Sequence, residues 1–184
     1  MTIMIAGIVL WVGFHLFKRV LPEMRANFGN AGKGLVTVGT LAGLALMIWG
    51  YQMADTVAVW YPPGWTTHLN NLLMLAAVFF LGVGHSKGRL RARFRHPMLA
   101  SVKIWAVAHL LVNGDLAAIV LFGSMLIWAV VEVILINRAE PWVPKTPGDP
   151  KRDLVLVGIT LGTYAVISGI HIWLGVWPFG GGGA

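Results

Sequence analysis

The sequence predicts an all-α fold: one polytopic membrane bundle of six transmembrane helices over residues 1–184, with both termini periplasmic. Three observations carry this expectation. The chain is 57% hydrophobic and only 11% charged, with a mean hydropathy of +0.74, which lies outside the balance of a soluble domain. Its apolar residues gather in runs close to the ~20 residues that a helix needs to cross a bilayer. Its Lys and Arg residues fall between those runs, on every second connection. The +7 net charge is therefore expected to face lipid headgroups and not nucleic acid. With no cysteine, disulfides, thiolate ligands and cysteine nucleophiles are excluded.

The first run, over about residues 2–20, ends at Lys18 and Arg19 and is just long enough to span. It lacks the basic leader and the small-x-small cleavage pattern of a secretory signal, so it is expected to remain as a helix. Leu21 to Lys33, with Pro22, Glu23, Arg25 and Lys33, is expected to be a polar connection. The second span, about residues 34–54, is rich in small residues: Gly34, Gly39, Thr40, Gly43 and Gly50 let a neighbouring backbone approach. Trp60-Tyr61-Pro62-Pro63-Gly64-Trp65 follows as an aromatic interfacial loop without cations. The third span, about residues 68–84, leads into Lys87-Gly88-Arg89-Leu90-Arg91-Ala92-Arg93-Phe94-Arg95, a cytoplasmic anchor in this setting.

The fourth span, about residues 97–113, is the one in which apolar bulk mixes with ionisable groups. Pro97 pre-sets its first turn, and Asn113-Gly114-Asp115 provides the reversal at its end. Val102, Trp105, Ala106, His109 and Asn113 recur at helical spacing and share one face. The fifth span, about residues 116–137, carries Glu132 inside it. Arg138 to Asp153, with Pro141, Pro144, Pro147 and Pro150, cannot be helical throughout. The sixth span, about residues 154–177, precedes Gly180 to Ala184, which is expected to be a flexible tail or an expression scar.

Six spans can be checked against charge. Lys18, Arg19, Arg25 and Lys33 fall on the first connection, Lys87 to Arg95 on the third, and Arg138, Lys145, Lys151 and Arg152 on the fifth. Lys103 alone lies within a span. The odd connections are therefore expected in the cytoplasm.

The histidines carry the candidate chemistry. His68 opens the third span at a surface, where a solvated imidazole needs no explanation; His85 and His96 flank the basic loop and can meet lipid phosphate. His15, His109 and His171 lie inside spans, where an ionisable group is costly and marks function by default. The plainer role for each is an imidazole satisfied by a backbone carbonyl. A bundle with inward imidazoles is also a natural holder of haem b, whereas a c-type haem lacks its CxxCH attachment. Counted from the helix ends, His109 and His171 are level and His15 lies nearer the opposite surface. Tyr164, Ser168 and His171 share one face of the sixth span.

Arg95-His96-Pro97-Met98, then Trp105-Ala106-Val107-Ala108-His109-Leu110-Leu111 and Asn113-Gly114, together with His15, resemble the NnrU family of membrane proteins, whose plant relative is the 15-cis-zeta-carotene isomerase. The resemblance covers nearly the whole chain. It implies a bacterial inner-membrane protein holding haem b through iron ligands at His15 and His109, with a role in denitrification and nitric oxide-linked metabolism. His171 is the alternative ligand from depth, and Trp105 and Asn113 are expected at the cofactor. A small hydrophobic substrate or a respiratory redox partner is implied besides the bilayer. The isomerase branch implies haem-dependent cis-trans isomerisation of a polyene, but Ala106 and Val107 stand here around the place of that branch's cysteine. Arg95-His96-Pro97 also resembles an element of S-adenosylmethionine-dependent membrane methyltransferases, with Ser101 in place of its glycine and no paired glutamates after it. A non-catalytic partner of a respiratory complex is the third expectation.

Overall fold

In a computed structural model, residues 1–179 are described, and the expected tail at Gly180 to Ala184 lies outside them. The chain forms α1 (Thr2–Val20), α2 (Pro22–Asn27), α3 (Gly29–Gln52), α4 (Thr66–His85), a 3-10 turn (Leu90–Ala92), α5 (Pro97–Leu110), α6 (Leu116–Ala139) and α7 (Lys151–Trp173). Among the described residues, five helices, α1, α3, α4, α6 and α7, are long and apolar enough to cross a membrane. The fourth expected span is different. α5 has 14 residues, about 21 Å by helical rise, against roughly 30 Å of hydrocarbon. It stops short of the expected boundary: beyond Leu110 the Val112 N–H, the Asn113 N–H and Asn113 Nδ2 all converge on the His109 carbonyl, at 3.2, 3.0 and 2.8 Å, and the Gly114 carbonyl pairs with the aromatic loop.

Other boundaries shift for local reasons. The connection expected from Leu21 to Lys33 is largely helical, since Pro22 starts α2 and α3 begins at Gly29, with the Arg25 guanidinium donating to the Gly29 carbonyl at 3.1 Å. α7 starts earlier than expected, because Asp149 Oδ1 accepts the Lys151 N–H at 2.9 Å. It ends earlier than residue 177, and Gly175 just beyond it adopts φ +82°, the left-handed conformation that closes helices. The segment between α6 and α7 holds no helix, as its prolines require.

In space α3 packs on α1, α1 on α6, α6 on α5, α5 on α4 and α4 on α7, and α3 also touches α6. The small residues expected to allow close approach do so at Gly39, Gly43 and Gly50: a Cβ on Gly43 would meet the Trp11 backbone nitrogen at 2.8 Å, and Gly39 and Gly50 lie equally tight against Phe14 and Met4. Gly34 faces open space. The core runs through Met4, Ile8, Met47, Met125, Trp128 and Ala129, with Ala106, Ala118 and Phe122 beside it. Large apolar residues such as Val38, Leu72, Ile127 and Val166 are outside, as a lipid-facing surface demands.

At one end the aromatic loop closes over the α5–α6 reversal. The Val59 and Trp60 N–H groups donate to the Gly114 carbonyl at 2.8 and 3.1 Å, and the Leu116 N–H donates to Val57. Only glycine fits there, since a Cβ on Gly114 would fall on the Trp60 carbonyl oxygen. Asp115 caps α6, its Oδ1 accepting the Ala118 N–H at 2.9 Å.

Candidate functional site

The three histidines within apolar helices share one arrangement. In each, Nδ1–H donates to the carbonyl one turn back: His15 to Trp11 at 2.9 Å, His109 to Trp105 at 2.9 Å and His171 to Ile167 at 2.8 Å. This fixes the tautomer, so Nε2 keeps its lone pair as an acceptor or ligand. The other described histidines differ. His96 uses Nε2–H to reach Asn137 Oδ1 at 2.8 Å, and His68 and His85 are exposed at helix ends.

Two of these imidazoles are set against α6 by the same device, a tryptophan four residues earlier. Trp11 lies 4.2 Å from the His15 ring, and Trp128 of α6 approaches both Trp11 and His15 edge-on, at 6.0 and 4.8 Å. Trp105 lies 5.3 Å from His109, and Phe122 of α6 stacks on His109 at 4.5 Å and meets Trp105 edge-on at 4.9 Å. Met125 and Trp128 belong to one buried cluster and Phe122 to a second, with Trp105 packed against both. Phe122 and Trp128 are six residues apart on α6, so the two aromatic partners are offset by about 9 Å along that axis.

His171 lies on α7, which packs chiefly on α4 and not on α5, so no tight backbone crossing joins the helices of His109 and His171. Ser168, one turn from His171, is buried, and Tyr164 is half-buried. Asn113 acts on the same unit from below, through its bond to the His109 carbonyl.

The His15 end holds polar groups that the sequence did not connect. Arg19, one turn after His15, pairs through Nε with Glu132 Oε1 at 3.3 Å and through NH1 with Glu140 Oε1 at 3.0 Å. Glu132 Oε2 and the indole nitrogens of Trp11 and Trp128 are buried without partners. Glu132 was visible in the sequence as a carboxylate within a span; its partner Arg19 is distant in sequence and only the α1–α6 contact brings it near. The Trp-x-x-x-His spacing that recurs at Trp11–His15 and Trp105–His109 was legible, but Phe122 and Trp128 were not, because aromatic residues in an apolar run carry no mark of what they face.

Among the described residues no three or more His, Asp or Glu side chains gather as a metal cage. The donor set does fit haem b, whose iron takes one or two imidazoles and needs no cage. Five helices long and apolar enough to cross a membrane make this a polytopic helical membrane protein, with the Nε2 atoms of His15, His109 and His171 left without a hydrogen bond among the described residues. The chain belongs to the NnrU family: the family model described as NnrU protein matches residues 3–178. No curated protein and no solved structure matches the chain.

Proposed function

We propose that this NnrU-family protein is a haem b-binding protein of the bacterial inner membrane that serves denitrification or nitric oxide-linked metabolism. The observation that supports it is the shared tautomer of His15, His109 and His171, each with Nδ1–H committed to its own helix and Nε2 left free. That is the condition of an imidazole ready to ligate. When bound, haem b supplies one-electron chemistry and affinity for small diatomic ligands.

The chain's residues supply orientation and dryness. The Trp105 carbonyl and the Phe122 stack hold the His109 ring, which is the first ligand in this reading. For the second, the family resemblance favours His15, and the matching depth of His109 and His171 counted from the helix ends favours His171. The unpaired indole N–H groups of Trp11 and Trp128 are donors available to a polar edge of a bound group near His15. The full topology in this reading has α5 as a sixth, short crossing, with both termini periplasmic.

Purified protein titrated with haemin tests the proposal by visible spectrum. A sharp low-spin Soret band at near-stoichiometric haem supports it, and absence of binding in detergent removes it. A haem-dependent isomerase would add a site for an apolar substrate. The apolar groove of Leu72, Ala76, Phe79, Val157 and Leu161 between α4 and α7, about 270 Å³, is one place for it. For the methyltransferase alternative, calorimetry with S-adenosylmethionine decides: binding lost in His96→Ala, with no haem bound, would replace the haem reading.

A further inference from the structure

At the basic end of the bundle a cleft of about 170 Å³ opens where the last turn of α4 meets the first turn of α5, lined by Gly84, Arg91, Arg95, His96, Pro97 and Met98 among others. The cations of this loop divide into two sets. Lys87, Arg89 and Arg93 are exposed to solvent, whereas Arg91 and Arg95 are partly buried and line the cleft. None of the described lining residues carries a carboxylate. The nearby acids are engaged elsewhere: Asp153 accepts the Arg89 and Leu90 amides, and Glu140 Oε1 accepts Arg19.

The cleft's cationic groups are also held in place. Arg91 NH1 donates to the Phe94 carbonyl at 3.0 Å, Arg95 NH2 donates to the Ile136 and Glu140 carbonyls, and His96 Nε2 is tied to Asn137 at 2.8 Å. Each keeps further capacity. Arg91 Nε is buried without a partner, Arg95 retains its other guanidinium nitrogens, and His96 retains Nδ1. Two guanidiniums and an imidazole converging on a small space without a counter-charge match an anion with several acceptor oxygens arranged around one centre. The cleft lies where apolar helices end, at headgroup depth.

We infer that this cleft binds a phosphate group, carried by the headgroup of an anionic phospholipid or by a free phosphate. The inference is independent of the haem reading, since the hydrogen bonds of Arg91, Arg95 and His96 go to other residues than those of His15, His109 and His171. Full-length protein in detergent is probed with dioleoylphosphatidylglycerol by native mass spectrometry and with inorganic phosphate by thermal melting. The expected result is one retained lipid on the unaltered chain, bound about tenfold more weakly in Arg91→Gln and in His96→Gln and recovered in part by Arg91→Lys. Lys87→Gln and Arg93→Gln, which remove exposed charges of the same loop, stay within about twofold.

Arg91 has a single carbonyl partner, so its substitution should leave the helices intact by circular dichroism; should it not fold, His96→Gln carries the test. Lipid binding that millimolar inorganic phosphate does not displace assigns the headgroup, and displacement with a raised melting temperature assigns a free phosphate. Equal weakening by Arg91→Gln and by the Lys87 and Arg93 variants would mean diffuse attraction and overturn the inference. Failure of both probes to bind would do the same.

Discussion

At the scale of the residue, what distinguishes His109 from an ordinary interior histidine is that all its support comes from its own neighbourhood. The Trp105 carbonyl accepts the Nδ1–H hydrogen bond, Phe122 stacks on the ring, and Asn113 donates to the His109 carbonyl. His109→Ala is therefore expected to abolish the low-spin haem spectrum, while His68→Ala, at an exposed helix start, leaves it unchanged. The same spectra on His15→Ala and His171→Ala name the second ligand: loss with one and retention with the other decides between them, and retention with both leaves His109 as the sole axial imidazole. Asn113→Ala is the subtler case. It removes a hydrogen bond at the last turn and not a ligand, so haem binding should persist with about tenfold weaker affinity, roughly the 1.4 kcal/mol a well-placed hydrogen bond is worth. Full loss of binding in Asn113→Ala would show a direct role at the cofactor. The histidines were legible in sequence because ionisable groups stand out in apolar runs. Which nitrogen each leaves free was not, since that depends on the carbonyl one turn back.

At the scale of the element, α1 is held to α6 by a buried ion pair and to α3 by close backbone contact. The Arg19 and Glu132 side chains are only 15% and 12% exposed, so this pair obeys the rule for interior charges and not that for surface ones. Arg19→Ala strands the carboxylate and should cost about 3–5 kcal/mol, whereas Arg19→Met with Glu132→Leu should recover most of it. Thermal melting in one detergent measures both, and a double variant as unstable as Arg19→Ala would show that the pair does not act as a unit. Gly43 is the matching test on the other side. A Cβ there meets Trp11 backbone at 2.8 Å, so Gly43→Ala should push α1 outward at about 1–3 kcal/mol, while Gly34→Ala, in open space, should be neutral. The small-residue stripe in α3 was readable from its composition. Its exact contact set was not, because Gly34 and Gly43 look alike until the crossing point is known. α5 teaches the same lesson from the other direction: hydropathy continued to Val112, but the helix closes at Leu110 with a tightened last turn converging on the His109 carbonyl, and such a closure leaves no trace in an apolar average.

At the scale of the whole molecule, the helices are neighbours in the order α3, α1, α6, α5, α4, α7, which places the basic connections together and the aromatic loop against Gly114 at the other end. Two long-range ties show that the basic end is built as one surface: Arg95 reaches the carbonyls that close α6, and Asp153 at the start of α7 accepts the amides of Arg89 and Leu90. These ties join the third and fifth connections, which the charge pattern alone had assigned to the same side. A helix of 14 residues can complete the alternation only if α5 and its turn cross where the bundle is thin. The orientation then follows from where cations accumulate. Alkaline phosphatase fused after Trp177 should be active and fused after Arg93 silent, with a green fluorescent reporter giving the opposite pattern. Activity at Arg93 and silence at Trp177 would invert the molecule. Silence on both would mean two crossings and not three between Arg93 and Trp177, leaving α5 as a re-entrant element and five crossings in place of six.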